Sequence, residues 1–144
     1  MRYTILVILL SIVLFSCNKD NVVGSSPGLV FNSVSSTTVP LGSYFQFTLS
    51  FTDTNGDLDS LFVQTVSKSC IPFTDSSALP YFPSNKKLSG SLQVTYGNGT
   101  TSIPIYDSCD YDINDTCYFR FVVKDASGKL SDAVQSPQMV LLKQ

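Results

Sequence analysis

The sequence has no histidine, no glutamate and no tryptophan. Without histidine there is no Ser-His-Asp or Cys-His nucleophile system and no histidine-ligated zinc. Paired aspartates or a serine with a lysine could still do chemistry, but no motif for either is present, so the chain reads as non-enzymatic. With glutamate absent, all 11 acidic side chains are aspartate. Alanine is scarce too, so two strong helix formers are nearly missing while Ser, Thr, Val, Phe and Tyr abound. That balance points to an all-β fold. Excess basic charge is also lacking: 9 Lys+Arg leave a net charge of −2, which offers nucleic acid no basic surface. No apolar run reaches the ~20 residues needed to span a bilayer. At 144 residues the chain accommodates one domain.

The one sustained apolar run is at the start. Met1-Arg2 is followed by residues 3–15, YTILVILLSIVLF, and then by polar Asn18-Lys19-Asp20. The run has the length of a secretory signal core. Leu14-Phe15-Ser16-Cys17 resembles the lipobox of bacterial lipoproteins. The resemblance implies cleavage before Cys17 and acylation of its thiol and amino group. The rival is an ordinary cleaved signal with an ordinary cysteine. At ~0.8 kcal/mol per buried CH₂, two or three acyl chains anchor a protein almost irreversibly. Residues 18–28, NKDNVVGSSPG, read as a tether that reaches roughly 35 Å at ~3.3 Å per residue. The expected organisation is a signal at 1–16, a tether at 17–28 and a folded domain at 29–144. Its expected partners are a membrane, through the acyl chains, and an envelope protein or glycan.

Residues 43–66, SYFQFTLSFTDTNGDLDSLFVQTV, organise that domain. Phe45, Phe47, Leu49 and Phe51 alternate with Tyr44, Gln46, Thr48 and Ser50, the period of a half-buried strand. A turn follows at 53–57, and apolar residues resume at Leu58, Leu61, Phe62 and Val63. Further strands are expected at 29–34, 59–68, 88–96 and 116–124, the last with Cys117, Phe119, Phe121 and Val123 inward. Gly97-Asn98-Gly99 reads as a hairpin turn with its return strand at 101–106. Residues 69–87, with three prolines, read as a long loop. The last strand, 130–142, changes parity, which calls for a bulge at Ser136-Pro137. About seven short strands separated by turn signals predict a two-sheet β-sandwich.

FTDTNGDLD and VVKDASGKLSDAVQSPQMVLL resemble paired landmarks of small Bacteroidota lipoproteins with an immunoglobulin-like domain. The match covers the signal and both landmarks. It implies an immunoglobulin-like sandwich on a lipid anchor in the cell envelope, most naturally at the outer membrane, on its periplasmic or surface face. Members are mostly without assigned function, so no activity follows.

Asp53, Asn55, Asp57 and Asp59 place oxygen donors at alternate positions. An EF-hand is excluded, because Leu58 and Gln64 stand where that loop needs Gly and Glu. A looser calcium site between loops remains, and an immunoglobulin-like order would bring Asp125 to the same end. The rival is a turn whose Asp and Asn side chains cap their own backbone. Beyond Cys17, three cysteines are left, and two pairings compete: Cys70–Cys117 or Cys109–Cys117. Phe73, Tyr81 and Phe82 are expected either to form a partner-binding surface at the cysteine end or to plug the sandwich. A hydrolase using two of Asp107, Asp110, Asp112 and Asp115 would need carboxylates about 5 to 9 Å apart. Three functions therefore compete: a non-catalytic anchored module, a calcium-dependent adhesion or glycan-contact domain, and an aspartate hydrolase.

Overall fold

A computed structural model of the chain describes residues 25–68, 70–82, 87–102 and 113–143. Nine strands run in order: β1 (Gly28–Val34), β2 (Thr38–Val39), β3 (Tyr44–Asp53), β4 (Leu58–Ser67), β5 (Thr74–Ala78), β6 (Leu88–Gly97), β7 (Asp115–Asp125), β8 (Val134–Gln135) and β9 (Met139–Leu141). One sheet has the order β1-β3-β6 and the other β2-β9-β7-β4-β5, with β8 also on β7. All pairings are antiparallel except β2 with β9. This is an immunoglobulin-like β-sandwich.

The two cleanly alternating strands face each other across the core. β3 contributes Phe45, Phe47, Leu49 and Phe51; β7 contributes Cys117, Phe119, Phe121 and Val123, all buried. Phe47 meets Phe119 at 4.8 Å and Phe121 at 5.0 Å between ring centroids. Burying each ring is worth roughly 1.5–3 kcal/mol, and such ring pairs add about 0.5–1.5 kcal/mol.

Besides a register shift in β1 between Phe31 and Ser33, two bulges adjust the pattern. On β4, Leu58 stands opposite Asp125 and Ser60 opposite Lys124, so Asp59 is the extra residue. That slip lets both Leu58 and Leu61 face the core. The expected bulge near Pro137 is present. Gln135 pairs with Arg120, whereas Met139 pairs with Cys117, one position out of step. Ser136 marks the break: its hydroxyl accepts from Phe119 N and donates to Pro137 O.

Several expectations need correction. The stretch read as a loop at 69–87 contains β5, an edge strand of sequence TDSSA pairing with β4. Its face is mostly exposed, so no apolar alternation betrays it. The return strand expected after Gly97-Asn98-Gly99 does not begin at 101. Thr101 and Ser102 lie outside any strand, and residues 103–106 are outside the described set. Instead Asn98 is buried, and its side-chain nitrogen donates to Val39 O at 2.9 Å and Leu142 O at 2.8 Å. Gly99 has φ +65°, a conformation that favours glycine.

Both expected disulfides fail at Cys117, which is a buried thiol. It lies on the inward row of β7, 1 % exposed, opposite Ser67 in the sheet. Cys70 lies past the end of that ladder, with its N–H on Ser67 Oγ at 3.1 Å. Cys70 is disulfide-bonded, so its partner is another cysteine. Cys17 and Cys109 are outside the described residues.

Candidate functional site

Two turns meet at one pole of the sandwich. The first joins β3 to β4, residues 53–58; the second follows β7, residues 125–131. They meet because β4 and β7 are neighbours: Leu58 is the sheet partner of Asp125, and Ala126 N donates to Asp57 O at 2.8 Å. The tether end reaches the same pole, where Gly28 pairs with Thr52 and the Ser25 and Thr54 hydroxyls bond at 2.6 Å.

Aspartates at positions 53 and 125 end inward-facing rows, so the strand period that buries the phenylalanines buries them too. Asp53 is 1 % exposed and Asp125 fully buried. Each has one oxygen held by protein donors. Asp53 Oδ2 accepts from Asp57 N at 2.8 Å. Asp125 Oδ1 accepts from Ser127 Oγ and from Lys129 N, both at 2.8 Å. The other oxygens, Asp53 Oδ1 and Asp125 Oδ2, are buried and accept no hydrogen bond. The same holds for Asn55 Oδ1 and Asp57 Oδ1. Orphaned buried acceptors are costly, about 1–3 kcal/mol each for neutral groups and more for charged ones. Burial, and then the charges of Asp125 and Asp53, raise the Asp57 carboxyl above its ordinary value.

Of the five residues expected at this site, four lie in the two touching turns with a buried, unbonded side-chain oxygen: Asp53, Asn55, Asp57 and Asp125. Asp59 leaves the group. On the bulge it turns outward, 3.3 Å from Lys124 Nζ. Among the described residues no three acidic or cysteine side chains are grouped so that, as they stand, they could hold a metal ion.

The aromatic trio does not form a surface. β5 runs back along β4, so Phe73 lies just before the strand and Tyr81 and Phe82 follow its end at the acidic pole. Phe73 packs on Tyr96 at 5.6 Å and Phe82 on Phe51 at 6.2 Å. Only Tyr81, 87 % exposed, faces solvent. The binding surface expected at the cysteine end is therefore withdrawn. Of the hydrolase aspartates, Asp107, Asp110 and Asp112 lie outside the described residues. Asp115 is buried and accepts from Ser67 Oγ at 2.6 Å.

Two residues escaped the sequence reading: Ser127, which orients Asp125, and Asn98, which clasps the opposite pole. Ser127 was legible in Asp125-Ala126-Ser127-Gly128, where a hydroxyl two residues after an aspartate closes a local turn. Asn98 carried no such signal, because its partners are 59 and 44 residues away in sequence.

No protein-family model matches the chain, and no curated protein does. Among solved structures, the chain is similar to Spo0M, a sporulation control protein from Bacillus subtilis, at 8 % identity and a TM-score of 0.46. The match covers 81 % of this chain and 49 % of that one, so the chain spans about half of Spo0M. It is also similar to a Niemann-Pick type C2 protein from the Japanese carpenter ant, at 9 % identity and a TM-score of 0.42, covering 81 % of this chain and 94 % of that one. At these values neither likeness bears on function.

Proposed function

We propose that this chain is a lipid-anchored, non-catalytic module of a bacterial cell envelope, held by acyl chains on Cys17 and acting by binding or structural support. The supporting observation is where the fold begins. Ser25 already touches Thr54, and β1 starts at Gly28. Only residues 18–24 separate Cys17 from the domain, a span of at most roughly 25 Å at ~3.3–3.6 Å per residue. An anchor on Cys17 would hold the acidic pole close to the bilayer and present the Asn98 pole outward. The Bacteroidota lipoproteins with immunoglobulin-like domains supply the family to which we assign it, and the outer membrane the place. A non-catalytic role fits a sequence without histidine.

The test is growth of an expressing bacterium with labelled palmitate. Wild-type chain should carry label and sediment with membranes, and Cys17→Ala should do neither. A wild-type product that is exported, unlabelled and soluble overturns the reading.

A second reading, a calcium-dependent adhesion or glycan-contact domain, is favoured by one observation: the orphaned oxygens between the two turns.

A further inference from the structure

We infer that Asp53, Asn55, Asp57 and Asp125 form a calcium site that joins the β3–β4 turn to the turn after β7. The argument starts from burial. Two aspartates nine-tenths or more buried each keep one oxygen without a hydrogen bond, and Asn55 Oδ1 and Asp57 Oδ1 share that condition. A pole of buried acceptors with no donors directed at them suits a cation.

The arrangement is that of oriented ligands. One oxygen of Asp53 is fixed by Asp57 N, and one of Asp125 by Ser127 Oγ and Lys129 N. Such outer contacts set the carboxylate plane and leave the second oxygen to ligate. The two turns touch, with Ala126 N on Asp57 O at 2.8 Å and Leu58 opposite Asp125, which sets the 53–57 turn against Asp125.

Donor chemistry selects the ion. All four donors are oxygen, three of them carboxylate, with no sulfur or imidazole; this favours a hard cation over zinc or copper. Calcium takes 6–8 oxygens in irregular geometry, and backbone carbonyls or water complete such a set. Magnesium demands a near-ideal octahedron and gives up its water reluctantly. Two turns of unequal length fit the looser ion. Because the carboxylates are not yet closed into a cage, binding draws them together and so stiffens the pole where the tether enters.

The test uses the full chain in detergent, stripped with chelator, then titrated with CaCl₂ or MgCl₂ by calorimetry and followed by thermal melting. Wild type should bind one Ca²⁺ per chain. Its Tm should rise by on the order of 10 °C at about 100 times Kd. Asp53→Asn and Asp125→Asn should weaken binding by roughly tenfold or more. Should either fail to fold by circular dichroism, Asp57→Asn, on the less buried side chain, supplies the same comparison. Asp59→Asn should bind as wild type does. No heat and no Tm shift for wild type at millimolar calcium overturns the site. So does calcium binding that survives the Asp53, Asp57 and Asp125 substitutions, and so does an equal response to magnesium. Membrane attachment through Cys17 is unaffected by any of these results.

Discussion

The Tyr96 hydroxyl donates a 3.0 Å hydrogen bond to Asp75 Oδ2, tying β6, the edge of one sheet, to β5, the edge of the other. Through the core the sheets hold each other by apolar side chains, and at one end Asn98 ties the end of β6 to Val39 and Leu142. At Tyr96, among the described strands, a polar clasp closes the side of the sandwich.

That clasp makes stability fall at alkaline pH. Burial, and then Asp75, push the Tyr96 hydroxyl well above its ordinary value of 10.0. The folded state thus holds the proton more tightly than the unfolded chain. Below pH 10 the two states carry the same proton and nothing changes. As pH rises past 10 the unfolded chain ionises first, so stability drops. Tyr96→Phe should cost about 1–2 kcal/mol at neutral pH and should flatten part of the alkaline fall. Urea unfolding of both proteins from pH 7 to pH 11 measures this; parallel curves would refute it.

At the other pole, Asn98→Ala should remove the side-chain bonds to Val39 O and Leu142 O; Val39 O keeps its bond from Leu142 N, whereas Leu142 O loses the Asn98 donor. The expected loss is about 1–3 kcal/mol. Chemical denaturation reads it directly. A loss under ~0.5 kcal/mol would mean that water replaces the side chain.

The aromatic residues at 73, 81 and 82 should separate into two classes. Phe73→Ser removes a ring packed on Tyr96 and should lower stability by about 2–4 kcal/mol. Tyr81→Ser removes a ring that is 87 % exposed and should change stability by no more than ~0.5 kcal/mol. Equal effects on Tm would contradict the placement of β5 between them.

Cysteine chemistry gives a fourth expectation. Alkylation of the native, unreduced protein should leave Cys117 unmodified, because it is 1 % exposed on the core row. Denaturation without reductant should expose it. Peptide mapping should then find Cys70 still linked, and linked to Cys109 if Cys17 carries acyl chains as proposed. A Cys70–Cys117 peptide would disprove this arrangement.

Much of the sandwich was readable in advance, since alternation is a local property. Successive side chains on a strand point to opposite faces, so YFQFTLSF and CYFRFVV announce both their strand and their buried set before any neighbour is known. The Pro137 bulge was equally visible as a parity slip. The exposed strand β5 was not, because an edge strand of polar residues has no buried face to mark it. The pairing logic of Cys117 was half visible. Its inward parity was plain, but Cys70's place beyond the ladder depended on register between β4 and β7.

The amino-acid order alone determined the strands that carry a buried face, that face itself and the acidic character of the 53–59 turn. Only the folded chain decided which acids meet. Asp57 and Asp125 lie far apart in sequence, and they converge because β4 pairs with β7 and Leu58 stands opposite Asp125. The bulge at Asp59 then sends that one carboxylate outward to Lys124. A single inserted residue reverses the face of a side chain, and where a strand inserts one is settled by how two sheets fit together.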